Sequence, residues 1–268
     1  MENLSTQKRG AGYRVRALQF LAVLGYASVR QLARCIWGRC DASSRRMASR
    51  TLRALLVRRL VVSKRAGEGV NRVNYELLFA LTSAGAEEAR RHGVGLVACK
   101  VHARDYLRHA HEHRTACNSV YAALPGGARW SELQIRAGSS PVPKFEYGMT
   151  EEGRTEFFCK IPDLIITQPD GYEWVEVENS WRSAKELDKV VDFMRALFHE
   201  PSAITRIHFV ITVAGARSIG GRLKARFTHT PISGMARKVR ELDARILAAH
   251  LKVSELDLET LELRAVPL

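Results

Sequence analysis

The chain has 268 residues, 46% of them hydrophobic, and carries 42 Lys+Arg against 28 Asp+Glu for a formal net charge of +14. That length exceeds one small domain and suits two, each able to bury a core. No apolar run is long enough to span a bilayer and no charge-flanked apolar segment opens the chain, so the sequence supports neither membrane insertion nor export and a cytoplasmic location is expected.

The positive excess is one-sided: residues 1–114 hold 22 Lys+Arg against 8 Asp+Glu, whereas residues 115–268 hold 20 of each. A polyanion met through the first part follows, because phosphate neutralisation with counterion release dominates non-specific nucleic-acid affinity. Five cysteines, Cys35, Cys40, Cys99, Cys117 and Cys159, are scattered without a Cys-x-x-Cys pair and read as reduced thiols rather than a zinc or redox centre.

In chain order, Tyr13 to Tyr26 carry Val15, Leu18, Leu21, Ala22 and Leu24 at helical spacing, and Gly25 ends the pattern. Ser28 precedes a short second helix, Val29 to Trp37, closed by Gly38. A third helix after Asp41 and Ser43 sets Met47, Leu52, Leu55, Leu56 and Leu60 in a stripe and leaves Arg45, Arg46, Arg50, Arg53 and Arg58 outside it. Val61–Arg65, a glycine-containing loop and Tyr75–Leu81 complete a β-hairpin. Three helices and a two-stranded wing resemble a winged helix-turn-helix, whose third helix enters the major groove of double-stranded DNA. Arg45, Arg46, Arg50 and Arg53 on that helix and Lys64, Arg65 and Arg72 on the wing are the expected DNA contacts. The alternative is a solvated basic face on a protein-interaction domain. The helix Thr82–His92 then meets Gly93-Val94-Gly95, which sets a domain boundary between 1–95 and 96–268.

The second part opens with a long amphipathic helix, Val101 to Leu124, in which His109, His111 and His113 invite a metal reading. On a helix His109 and His111 diverge, while His109 and His113 lie one turn apart and could pack or bind metal, with polar or packing roles the better fit. A strand is expected at Trp130–Arg136, followed by a Gly-, Ser- and Pro-rich stretch from Ala137 to Thr155 that forms a loop or irregular hairpin, either a DNA-contacting flap or a surface insertion. The run Phe157 to Thr167 contains Asp163, Gln168–Gly171 turns the chain, and Tyr172 to Glu178 returns. Strand alternation puts Trp174, Glu176 and Glu178 on one face and Val175 and Val177 on the other. Asp163 beside Glu176 and Glu178 makes an all-oxygen site for Mg²⁺ or Mn²⁺, with Glu132 a fourth acidic group. Ser183 and Glu186 form a capping box that opens a helix carrying Lys185 and Lys189, cations for the site or an exposed pair. Arg206–Val213 is another strand, and Gly215–Phe227 carries Arg217, Arg222, Lys224 and Arg226, for a DNA backbone or for solvent.

Pro162-Asp163 and Glu176-Val177-Glu178 resemble the signature of the PD-(D/E)XK nuclease superfamily, with Glu178 where that family has lysine. The chain is similar to replication-relaxation proteins and MobC-type mobilisation relaxases. That resemblance implies an α+β chain in which the winged helix is followed by a restriction-endonuclease-like domain with a mixed central sheet. It also implies a metal-dependent DNA endonuclease or nickase. Asp163, Glu176 and Glu178 would hold the ion, with Lys185 or Lys189 beside it. Plasmid mobilisation at an origin would bring in double- and single-stranded DNA, a homodimer or relaxosome accessory proteins. Tyr106, Tyr121, Tyr147 and Tyr172 are the tyrosines at hand for a covalent route, none singled out, and water is the other nucleophile. The competing reading is a DNA-binding accessory protein with an inactive nuclease-like domain.

Overall fold

The computed structural model describes residues 6–65, 76–96, 107, 112–125, 127–151, 154–228 and 236–268. The chain is mixed α/β and divides into two compact units. The first comprises Met1–Pro125, Ser131–Ser139 and Asp257–Glu262, the second Gly126–Trp130, Ser140–Leu256 and Leu263–Leu268.

In the first unit α1 (Thr6–Leu24) buries Ala17, Leu18, Leu21 and Leu24, the spacing of one helical stripe. Helix α2 (Val29–Trp37) starts at a Ser28–Gln31 capping box and stops at Gly38 in the left-handed conformation. Helix α3 (Ala42–Val57) is capped by the Asp41 side chain on the Ser44 amide and buries Ala48, Leu52 and Leu55. Strands β1 (Ala27–Ser28), β2 (Val61–Arg65) and β3 (Leu77–Leu81) form an antiparallel sheet in the order β1-β3-β2, and α4 (Ser83–Arg91) follows it.

The unit continues past residue 95. Helix α5 (Glu112–Ala123) packs on α2, and every residue from Thr115 to Leu124 is buried, so this is an interior helix rather than the two-faced one its sequence suggests. Its interior polar residues find partners: Thr115 Oγ1 meets the Tyr26 hydroxyl at 3.0 Å, Asn118 donates to the Tyr26 carbonyl at 2.9 Å and Gln31 donates to Ser119 at 2.9 Å. Burial pushes the Tyr26 phenol up to about 12. The strand expected at Trp130–Arg136 is reduced to β4 (Arg129–Trp130). Ser131 and Gln134 then form a capping box that starts α6 (Glu132–Arg136).

The second unit is built on a six-stranded mixed sheet ordered β11-β10-β9-β8-β7-β4. Strands β7 (Leu164–Gln168) and β8 (Gly171–Glu178) are an antiparallel hairpin, β8 runs parallel to β9 (Ile204–Ile211), and β9 runs parallel to β10 (Leu251–Asp257), with β11 (Glu262–Ala265) at the edge. Gly171 ends the turn at φ 143, where a Cβ would lie 2.5 Å from the Ala203 carbonyl oxygen. The expected run Phe157–Thr167 is two strands. Pro162, which has no N–H to give a ladder, lies in the break. Strand β6 (Arg154–Lys160) pairs antiparallel with β5 (Phe145–Glu151), so the stretch read as a loop or irregular hairpin contains a regular two-stranded one. Helix α7 (Ala184–His199) contacts β5, and its Phe193 meets Trp174 at 5.1 Å, Phe145 at 5.8 Å and Tyr147 at 5.9 Å between ring centroids. Helices α8 (Ile219–Thr228) and α9 (Ala236–Arg245) complete the unit, with Arg195 of α7 on Asp243 of α9 at 2.8 Å.

Candidate functional site

The β7–β8 register pairs Leu164 with Val175, so Asp163, one residue before β7, comes opposite Glu176. Its backbone N–H donates to the Val175 carbonyl at 3.1 Å, and its Oδ2 accepts from the Val177 amide at 2.8 Å. The alternation along β8 holds: Trp174 Nε1 donates to Glu176 Oε1 at 2.6 Å, which fixes the two on one face. Asp163, Glu176 and Glu178 are therefore brought to one side of one hairpin. Asp163 is half-buried, while Glu176 and Glu178 are 4% and 2% exposed.

Two cations answer this charge. Lys160, at the end of β6, puts Nζ 2.8 Å from Glu176 Oε2 and 5.2 Å from the Phe193 ring centroid. Arg182, in the link from β8 to α7, takes Glu178 with Nε at 2.8 Å and Nη2 at 2.7 Å and reaches Glu176 Oε2 at 3.6 Å. Burial lifts the Glu178 carboxyl above its ordinary value, with the Arg182 contacts opposing the rise. Burial works against the charge on Arg182, yet its bond to Glu178 and the field of Glu178, Glu176 and Asp163 carry its pKa upward. Lys185 and Lys189 are exposed, and Lys189 lies over the Phe158 ring at 5.6 Å rather than on a carboxylate. The cations in contact with the acids are Lys160 and Arg182 rather than Lys185 or Lys189. Arg182 lies four positions after Glu178, but the segment between them is irregular rather than helical, so that spacing alone does not bring them together.

Glu132 does not join this cluster. It sits in α6 of the first unit, held by Arg114 at 3.3 Å and Arg136 at 2.7 Å. Burial alone would raise its pKa, but the two guanidiniums hold it below the usual carboxylate range. Tyr121 and Tyr147 are buried and Tyr172 packs edge-on to Trp130, while Tyr106 lies outside the described residues. His109 and His111 also lie outside them, and His113 Nε2 is 3.5 Å from Cys117 Sγ.

On the other face of β8 a second polar group is closed in. Glu173 Oε1 meets His208 Nδ1 at 2.7 Å, His208 Nε2 meets Ser254 Oγ at 2.9 Å, and the three residues are at most 3% exposed. Burial lowers the His208 pKa against the pull of Glu173. Burial would raise Glu173, but its hydrogen bond to His208 and the charges of His208 and Lys252 hold it below the ordinary range. The group is wired across three neighbouring strands, β8, β9 and β10.

The expected DNA contacts are unequally available. Arg46, Arg50 and Arg53 are exposed on α3, and Arg65 is exposed at the end of β2. Arg45 is tied down, donating to the Cys40 carbonyl at 2.8 Å and the Glu259 carbonyl at 3.4 Å, and Lys64 donates to the Leu107 carbonyl at 3.2 Å. Arg72 lies outside the described residues. In the second unit Arg226 pairs with Asp188 at 3.1 Å, and Arg222 stacks on Trp181 with 4.6 Å to the ring centroid. Among the described residues no helix is long and apolar enough to cross a membrane. Comparison with protein-family models, with curated proteins and with solved structures returns no match.

Proposed function

We propose that the protein binds double-stranded DNA through α3 and the β2–β3 strands in the manner of a winged helix. Its second unit would act on a phosphodiester as a PD-(D/E)XK-type nickase, the reading under which the chain resembles mobilisation relaxases working at a plasmid origin. The observation that carries the reading is Asp163 opposite Glu176 with an ammonium, Lys160 Nζ, 2.8 Å from Glu176 Oε2. The donor set fits a hard divalent ion in kind: Asp163 and Glu176 are oxygen donors at facing positions of one hairpin. Mg²⁺ or Mn²⁺ held by these two would supply charge to a phosphate oxygen.

The chain's own residues then divide the work. Lys160 takes the part that the family gives to the lysine of Glu-x-Lys, a cation facing the developing phosphorane charge. Glu178 holds Arg182 in place rather than serving as a ligand, since both of its oxygens accept from that guanidinium. Trp174 fixes the rotamer of Glu176 through its indole N–H.

One observation favours a second reading, a DNA-binding accessory protein with a closed charge cluster. Both oxygens of Glu176 and both of Glu178 are already satisfied by Trp174, Lys160 and Arg182. A supercoiled plasmid carrying the cognate origin separates the two. Mg²⁺- or Mn²⁺-dependent open circles from the wild type, absent from Asp163→Ala and Glu176→Ala variants that still shift the DNA, would bear out the nickase. Intact supercoils, together with Mn²⁺ calorimetry showing no heat, would leave the accessory reading.

A further inference from the structure

Away from the carboxylates, the first unit has a cleft between α1 and α3 that shares only Arg50 with the expected DNA contacts. Arg9, Gly10, Tyr13 and Arg14 line it from α1, and Met47 and Arg50 are among the residues that line it from α3. The spacings 9, 10, 13, 14 and 47, 50 are those that bring side chains to one helical face. The cleft holds about 380 Å³, within the range of small-molecule sites and more room than an inorganic phosphate needs.

Three arginines line this cleft, and among the described residues none of them pairs with a carboxylate. Arg14 is half-buried, while Arg9 and Arg50 are exposed. Like charges gathered on one cavity repel one another unless an anion joins them, and planar guanidiniums are suited to phosphate oxygens. The rest of the lining is not anion chemistry. Tyr13 presents a half-buried ring, backed by Trp37 at 4.9 Å between centroids, and Met47 adds a polarizable apolar surface. Gly10 keeps the space open. A Cβ there would meet nothing closer than Arg14 Nη1 at 3.6 Å, so the residue is not glycine for want of room, although a glycine inside a helix is unfavourable relative to alanine.

We propose that this cleft binds a nucleotide, its phosphates on Arg9, Arg14 and Arg50 and its base against Tyr13 and Met47, and that the bound ligand withdraws Arg50 from the exposed face of α3. A free nucleotide would then compete with whatever polyanion α3 meets, which makes the cleft a site of regulation rather than a further DNA contact.

The full-length protein is titrated with ATP and, separately, with inorganic tripolyphosphate. Intrinsic fluorescence reads Trp37 beside Tyr13, with Trp37→Phe to assign the signal. ATP is expected to saturate, to bind more tightly than tripolyphosphate, and to lose about tenfold or more in affinity in Gly10→Leu, which fills the cleft, and in Arg14→Gln. Arg53→Ala, an exposed arginine of the same helix that does not line the cleft, is expected to leave ATP affinity unchanged. Arg14→Gln decides alone should Gly10→Leu fail to fold.

ATP should also weaken binding of a labelled duplex by the wild type and not by Gly10→Leu. Affinity for ATP is read without DNA, so a protein that ignores duplex DNA leaves that half intact and sinks only the DNA-binding reading. A titration that never saturates overturns the proposal, as does an equal loss in Arg53→Ala and Arg14→Gln. Loss of duplex affinity in Gly10→Leu with ATP affinity unchanged also overturns it and makes the cleft a seat for the DNA backbone.

Discussion

Arg182→Met is the perturbation that tests what holds the acid cluster together. The Arg182 side chain is 25% exposed and the Glu178 side chain 2%, so the variant leaves a carboxylate that water cannot reach. Lys160 still answers Glu176 at 2.8 Å, which confines the uncompensated charge to Glu178. Removing one partner of a buried pair costs about 3–5 kcal/mol. The partial exposure of Arg182 places the loss near the lower figure, about 3 kcal/mol, or roughly 6–12 °C in the midpoint of the second unit's thermal transition. Burial already raises the Glu178 pKa, and without Arg182 it rises further. A folded-state pKa above the unfolded one favours the native state at low pH, so the deficit is full above the folded pKa and shrinks as pH falls through it towards 4.5. The double variant Glu178→Leu/Arg182→Met removes both charges and should recover most of the loss. Urea unfolding at pH 7 and pH 5 for the two single variants and the double measures all of this. A cost for Arg182→Met within about 1 kcal/mol of zero would refute the reasoning, because that is the worth of an exposed pair. So would a double variant as unstable as the single.

The Glu173–His208–Ser254 group predicts a pH response of the opposite sign. His208 is depressed below its value of 6.5, so its contribution is complete above pH 6.5 and is lost as pH falls through that value, at up to about 1.4 kcal/mol per pH unit. Glu173, depressed below 4.5, adds its own loss under that pH. Urea midpoints should change little between pH 7.5 and 6.5 and fall between 6.5 and 5.5 in the wild type, and His208→Phe should lack that fall; equal slopes in the two proteins would contradict the assignment. A Cβ at Gly85 would lie 1.8 Å from the Leu60 carbonyl oxygen, so Gly85→Ala must push α4 off the sheet, at about 1–3 kcal/mol or more. Gly12→Ala meets nothing within 4 Å in α1 and should stabilise by about 0.5–1 kcal/mol, so calorimetry that finds the two glycines equivalent would show the contact at Gly85 to be absent.

Much of this architecture is legible in local chemistry. Ser28, Asp41 and Ser183 mark helix starts because their side chains have an amide to cap within three residues. The two-residue alternation puts Trp174, Glu176 and Glu178 on one face because a strand allows nothing else. What failed to show were relations between elements. Helix α5 looks amphipathic because Asn118, Ser119 and Thr115 are polar, yet they are interior residues whose partners, Tyr26 and Gln31, are more than 80 positions away. The strand expected from Trp130 gave way to a capping box, and the run into Asp163 broke at Pro162. Arg182 could not be assigned to Glu178 by spacing, since an irregular link fixes no face.

That last gap bears on chemistry. Under the proposed nuclease reading, a lysine two positions after Glu176 would share its strand face, and position 178 holds a glutamate instead. A lysine from the separate β5–β6 hairpin, Lys160, meets Glu176, and an arginine is spent on the glutamate. The two cations are not equivalent: Lys160 is a point charge on a flexible stem, able to swing from Glu176 Oε2 to a phosphate, whereas Arg182 is locked by its contacts with both oxygens of Glu178 and by Arg222 Nη2 donating to its carbonyl at 2.7 Å. The proposed nickase therefore needs Lys160 to move and Arg182 to stay. Lys160→Met should abolish any metal-dependent nicking while sparing the fold more than Arg182→Met does. An accessory protein with a closed cluster would instead lose stability from both changes and activity from neither.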